Sequence, residues 1–211
     1  FPKGLPDREE ERQLSLLLSI ASRLHLAVRL ADEDGLPTRV LVPDPDAKVD
    51  LYIYSQYWLE PEVALSVVRR HAPHAFQQAL PTPDAAVLAQ ATLDDPLFDA
   101  TAPVVLDGYS LLIPLGEIDE GAGEIEIRVI EAEWVPPIIA ASTAEPQIEY
   151  HVHWMDTEQL RYRPGRPRRF RRMRAEVADL VDRIGAELLS RSDGTGLDEN
   201  GFLVTSGQLR G

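Results

Sequence analysis

The sequence has no cysteine, only two lysines (Lys3 and Lys48), and no long apolar run. Without cysteine, a disulfide scaffold, a zinc finger, an iron–sulfur cluster and a thiol nucleophile are excluded. The most apolar stretch, Leu14 to Leu30, is interrupted by Ser15, Ser19, Ser22, Arg23, His25 and Arg29. It falls short of the roughly 20 apolar residues that span a bilayer. The residues before it, Asp7 to Arg12, are mostly acidic where a secretion signal needs a basic start. A cytoplasmic location is the expectation, with loss of a signal before Phe1 left open. Short catalytic fingerprints are also missing: there is no Gly-x-Ser-x-Gly elbow, no phosphate-binding loop and no His-Glu-x-x-His. Asp44, Asp46 and Asp50 lack the glycine and terminal glutamate of a calcium loop. Gly194-Thr195-Gly196 neither follows a buried strand nor opens a helix, as a nucleotide fingerprint requires.

What is present is an acidic, globular composition. The 211 residues carry 35 acidic and 21 basic side chains, a net charge of −14, with 44% hydrophobic residues. That apolar fraction supports a full core. The charge argues against nucleic acid, whose phosphates need cations, and against anionic membranes. It favours a basic partner. Arginine in place of lysine, with abundant alanine, suggests a GC-rich bacterial genome.

The hydrophobic pattern predicts a helix over Asp7 to Leu24, with Leu14, Leu17, Leu18, Ala21 and Leu24 on one stripe. Leu16 and Ile20 widen that stripe beyond a one-sided face, so cover from two sides is expected, by another helix or by a second copy of the chain. Three runs follow: His25 to Leu30, Arg39 to Val42 and Val49 to Tyr57. Turn signals separate them, and a three-stranded meander is predicted. Pro61 suits the first position of a second helix, and a short helix is expected over Asp84 to Thr92. Val104 to Leu106 and Tyr109 to Ile113 read as strand, paired or continuous through Gly108. In Glu124 to Trp134 the alternation slips near Val129-Ile130, which predicts a β-bulge. Gln147 to Trp154 alternates with Ile148, Tyr150, Val152 and Trp154 inward. Arg168 to Ser190 is the clearest helix, with Phe170, Met173, Val177, Leu180, Val181, Ile184 and Leu188 on one arc. Ser192 to Gly201 reads as loop and Phe202 to Val204 as a short edge strand.

Three clusters bear on chemistry. Arg161, Arg163, Arg166, Arg168, Arg169, Arg171, Arg172 and Arg174 crowd the start of the last helix. Cations there oppose the helix dipole by about 0.3–1 kcal/mol each when exposed, so acidic partners or a bound anion should offset them. Glu117, Asp119, Glu120, Glu124, Glu126, Glu131 and Glu133 surround one hairpin-like segment. They form either a charge-protected sheet edge or a platform for a basic protein. His151 and His153 share one strand face, a spacing that can hold zinc. They lie on the polar side of their strand, where a solvent-facing pair is the simpler reading. Asp156, His25, His71 and His74 are further candidate ligands.

These readings converge on an α+β fold. About six antiparallel strands, in one sheet or two subsheets, carry long N- and C-terminal helices packed on them, with short helices in the middle connection. One domain spans 1–211, with an internal division near 94–103 as the alternative. The expected function is non-catalytic binding of a basic partner protein, in the manner of an immunity factor or a secretion chaperone, with no cofactor. A homodimer through Leu16 and Ile20 is the structural alternative. The enzymatic alternative uses the arginines for an anionic substrate, with His151 and His153 as acid–base or metal groups.

Overall fold

A computed structural model describes residues 7–24, 26–31, 37–43, 49–79, 108–143, 145, 147–155 and 168–210. The fold is α+β, as expected. In chain order, the elements begin with helix α1 (Asp7–Arg23) and strands β1 (Val28–Ala31), β2 (Pro37–Leu41) and β3 (Asp50–Ser55). Helix α2 (Pro61–Val68) and strands β4 (Phe76–Gln77), β5 (Gly108–Pro114) and β6 (Glu124–Glu131) follow. The chain then forms α3 (Pro137–Ala140), β7 (Ile148–Met155), α4 (Arg168–Ser192), β8 (Thr195–Asp198), β9 (Leu203–Val204) and α5 (Ser206–Leu209).

Seven strands form one sheet in the order β4-β5-β6-β7-β3-β8-β9, with every neighbouring pair antiparallel. One face is apolar because alternate residues point the same way: Leu51 and Ile53, Ile125, Ile127 and Val129, and Tyr150, Val152 and Trp154 are all buried on it. The long helix α4 lies across this face. Its predicted arc, from Phe170 to Leu188, is buried throughout. Gly185 sets the approach distance: a Cβ there would stand 2.0 Å from Leu51 Cδ2. The helix ends in a left-handed residue, Asp193 (φ 49°), after which Gly194 N–H donates to the Leu189 carbonyl at 3.3 Å. That pattern satisfies a carbonyl that the helix end leaves without an intrahelical donor.

Two tyrosines and a tryptophan tie loops to this core. Tyr150 Oη donates to the Tyr57 carbonyl (2.6 Å) and accepts from Leu59 N–H (2.8 Å). Tyr109 Oη donates to the Leu59 carbonyl at 2.7 Å. Together they fix the residues that lead into α2. Trp154 Nε1–H donates to the Ala122 carbonyl at 2.7 Å and holds the turn between β5 and β6.

Several expectations are corrected. The three-stranded meander does not form: β1 and β2 make a separate two-stranded hairpin, and β3 sits inside the large sheet between β7 and β8. Helix α1 contributes nothing to the main core. Among the described side chains of α1 only Ala21 is buried, and the helix lies against the β1–β2 hairpin. The bulge is absent, since β6 keeps one register from Glu124 to Ile130 against β5 and from Glu124 to Glu131 against β7. The apparent slip arose because the strand ends at Glu131, leaving Trp134 exposed beyond it. Thr195 to Asp198, read as loop, is strand β8. Gly196 suits this place because a Cβ would stand 3.0 Å from Val204 Cγ2. The short helix over 84–92, the strand over 104–106 and the division near 94–103 lie outside the described residues.

Candidate functional site

Three places on the molecule carry side chains whose arrangement the core does not require. The first is on the sheet face opposite α4. Strands β3 and β7 pair with Asp50 across from His153 and Tyr52 across from His151. Strand alternation places all four on one face. His153 Nδ1 and Asp50 Oδ1 are in hydrogen-bond contact. His151 Nε2 stands 3.6 Å from the same oxygen, within ion-pair range but beyond hydrogen-bond reach, and is a buried atom with no hydrogen-bond partner. Leaving a polar atom in that state costs about 1–3 kcal/mol. The Tyr52 ring stacks on His151 with centroids 4.2 Å apart and planes at 11°, which fixes the imidazole plane. Burial alone would raise the pKa of Asp50, but the two imidazoles more than offset it and hold the carboxyl well below the usual range. Burial, and then the charge of Asp50, pushes the Tyr52 phenol up.

The histidine pair stands out in the sequence as a candidate metal site, whereas Asp50 features there only with Asp44 and Asp46, as part of a calcium loop that lacks its required residues. The pairing of β3 with β7 across about a hundred residues was not legible. Of the other candidate ligands, His71 faces Glu187 (3.5 Å) and His74 faces Glu117 (3.0 Å), both away from this cluster. His25, Asp44, Asp46 and Asp156 lie outside the described residues.

The second place is where the arginine and acidic clusters meet. Arg169 Nε donates to Asp119 Oδ2 at 2.6 Å, and Arg172 Nε donates to Glu176 Oε1 at 2.8 Å. The Asp119 carboxyl is held low by the hydrogen bond from Arg169. These acids supply the offset that cations at a helix start require. Arg168 is exposed on the same turn, and Arg161, Arg163 and Arg166 lie outside the described residues. The acidic residues divide rather than form one platform. Glu117, Asp119 and Glu120 occupy the β5–β6 turn. Glu124 and Glu126 face outward on β6, where Glu126 Oε1 accepts from Ser110 Oγ at 2.8 Å. Glu131 and Glu133 are exposed at the far end, about 20–25 Å along the strand from the turn. Arg168, Arg169 and Arg172 belong to the helix side of the sheet, whereas His151 and His153 face the other side. Among the described residues, the two groups do not converge on one pocket.

The third place is α1 and its hairpin. Leu14 and Leu18 turn toward the hairpin and line a cleft of about 700 Å³ with Val40, Leu41, Val42 and Pro43. Leu16 is 52% exposed, Leu17 49%, Ile20 37% and Leu24 59%. At 100° per residue these four side chains with Leu14 and Leu18 cover about half the helix circumference. Val40 and Val42 on the hairpin side are exposed as well. A second cleft of about 400 Å³ continues the surface past Ser22, Val42 and Pro43 to Asn200. Glu10 and Glu11 are exposed at the N-terminal end of the stripe. Arg23 anchors the helix to the body through an ion pair with Asp198 and by lying over the Phe202 ring, 5.0 Å from its centroid.

No helix among the described residues is long and apolar enough to cross a membrane. Comparison with protein-family models, with curated proteins and with solved structures yields no match to this chain.

Proposed function

We propose that this chain is a non-catalytic protein-binding module, and that a basic partner docks on α1 and the β1–β2 hairpin. One observation carries the reading: Leu16, Leu17, Ile20 and Leu24 are exposed along one side of α1, on a helix that also borders a cleft lined by Leu14, Leu18 and Val40 to Pro43 together with Glu11, Arg39 and three serines. Contiguous apolar surface of this kind, rimmed by polar groups, marks interaction sites. The chain's net charge of −14 favours a cationic partner and would steer its approach. The same charge disfavours a second copy as the occupant, since both chains would be strongly acidic. Immunity factors and secretion chaperones work in this mode, by covering apolar and cationic surface on another protein.

The test is capture from lysate of the source organism with the purified chain as bait, at low and at moderate salt. Stoichiometric retention of a basic polypeptide, weakened by salt, is the expected result. Retention of the chain alone, with a molar mass twice 23.5 kDa in light scattering, would overturn the reading in favour of a homodimer.

A further inference from the structure

The geometry points to a divalent transition-metal site formed by Asp50, His151 and His153 on the sheet face opposite α4. This inference is independent of the protein-binding reading. Three donor atoms converge: one Asp50 carboxylate oxygen, one His151 ring nitrogen and one His153 ring nitrogen, all within 4.8 Å of one another. Two strands in antiparallel register hold them, so their spacing is set by backbone pairing rather than by a flexible loop. A hydrogen-bonded Asp–His pair alone would account for Asp50 and His153. It leaves His151 unexplained, because His151 Nε2 is buried, lacks a hydrogen-bond partner and stands 3.6 Å from the shared oxygen.

A metal ion accounts for both histidines. Ligand bonds of about 2.0–2.2 Å in a tetrahedral site place neighbouring donors about 3.3–3.5 Å apart. The His151 Nε2 to Asp50 Oδ1 separation lies close to that edge, whereas His153 Nδ1 and Asp50 Oδ1 are in direct hydrogen-bond contact and must part to admit the ion. Two imidazoles and one carboxylate, in a chain without thiolate, suit zinc and the neighbouring borderline divalent ions rather than magnesium or calcium, which prefer all-oxygen sets. Stacking of Tyr52 on His151 orients the ligand ring, a role that groups around metal ligands commonly take. Three protein ligands leave a fourth position for water or for a donor from a bound molecule.

The experiment is a calorimetric titration of zinc chloride into the chelator-treated full chain. One equivalent of zinc at micromolar or tighter affinity is expected. His151→Gln and Asp50→Asn should each weaken it by more than about a hundredfold, beyond the roughly 10–100-fold loss that altered neighbours of a ligand can cause. His74→Gln, at the surface pair with Glu117, should leave binding unchanged. Absence of stoichiometric zinc uptake, or uptake that His151→Gln leaves unchanged, overturns the proposal. If the variants fail to fold, the intact chain gives a second readout. Long-range proton–nitrogen spectra should show zinc-dependent shifts at Nε2 of His151 and at Nδ1 of His153. Shifts confined to other histidines would contradict the assignment.

Discussion

Helices α1 and α4 are both long and amphipathic, yet they meet opposite fates. Every residue of the α4 arc from Phe170 to Leu188 is buried against the seven-stranded sheet. In α1 the comparable residues Leu16, Leu17, Ile20 and Leu24 remain exposed, and among its described side chains only Ala21 is buried. Burial of a leucine or isoleucine contributes about 1.5–3 kcal/mol. Helix α4 realises that stabilisation inside the chain, and α1 leaves it to be realised on contact with another surface. The fold is therefore built by α4 and the sheet, while α1 is a surface element tethered by Arg23 to the C-terminal loops.

The largest expected contrast between the two helices is in stability. Ile184→Ala in α4, at a fully buried position, should cost about 2–5 kcal/mol. Leu16→Ala in α1 should change stability by no more than about 0.5 kcal/mol. Urea unfolding of both variants measures this, and similar losses would erase the distinction.

Next in size is Tyr150→Phe. It leaves Leu59 N–H and the Tyr57 carbonyl without their shared hydroxyl and should cost about 1–3 kcal/mol in the same assay. Gly185→Ala sharpens the picture of how closely α4 sits on β3. Alanine favours a helix over glycine by about 1 kcal/mol, but the added methyl collides with buried Leu51, and overpacking costs about 1–3 kcal/mol. A net loss of about 1 kcal/mol is expected, and a gain would show that the interface is loose.

The smallest effect has the opposite sign. Burial, with a contribution from the Asp179 charge, pushes the Asp182 carboxyl up from 3.8 to about 6. The folded state therefore holds this proton more tightly than the unfolded chain does. The stability it confers is full below about pH 4 and is lost as the pH rises through 6. Asp182→Asn should raise Tm at pH 7 by about 2–4 °C, with a gap that closes as the pH falls to 4. A gap independent of pH would contradict the assignment.

Local pattern carried much of this fold. The α4 arc and the alternation of β7 were legible because each is a strong period with a single apolar face. The proline that opens α2 was equally direct. What escaped was non-local. Nothing near β3 shows that it pairs with β7 and β8 rather than with β2. Strand β8, short and glycine-containing, forms because Gly196 fits beside Val204 and not through strand propensity. The width of the α1 stripe was readable, and so was its need for cover. Its distance from the main sheet was not. The metal-like cluster was two-thirds legible for the same reason. His151 and His153 stand two residues apart in one strand, whereas Asp50 reaches them only through the sheet.

The most direct test of the central claim is quantitative capture with the wild-type chain and a Leu16→Glu/Ile20→Glu variant as parallel baits, alongside urea unfolding of both. Retention of the basic partner is expected to fall at least about tenfold, a loss of about 1.4 kcal/mol or more in binding, while the unfolding midpoint stays unchanged. Equal retention by the two baits would show that α1 is not the docking surface.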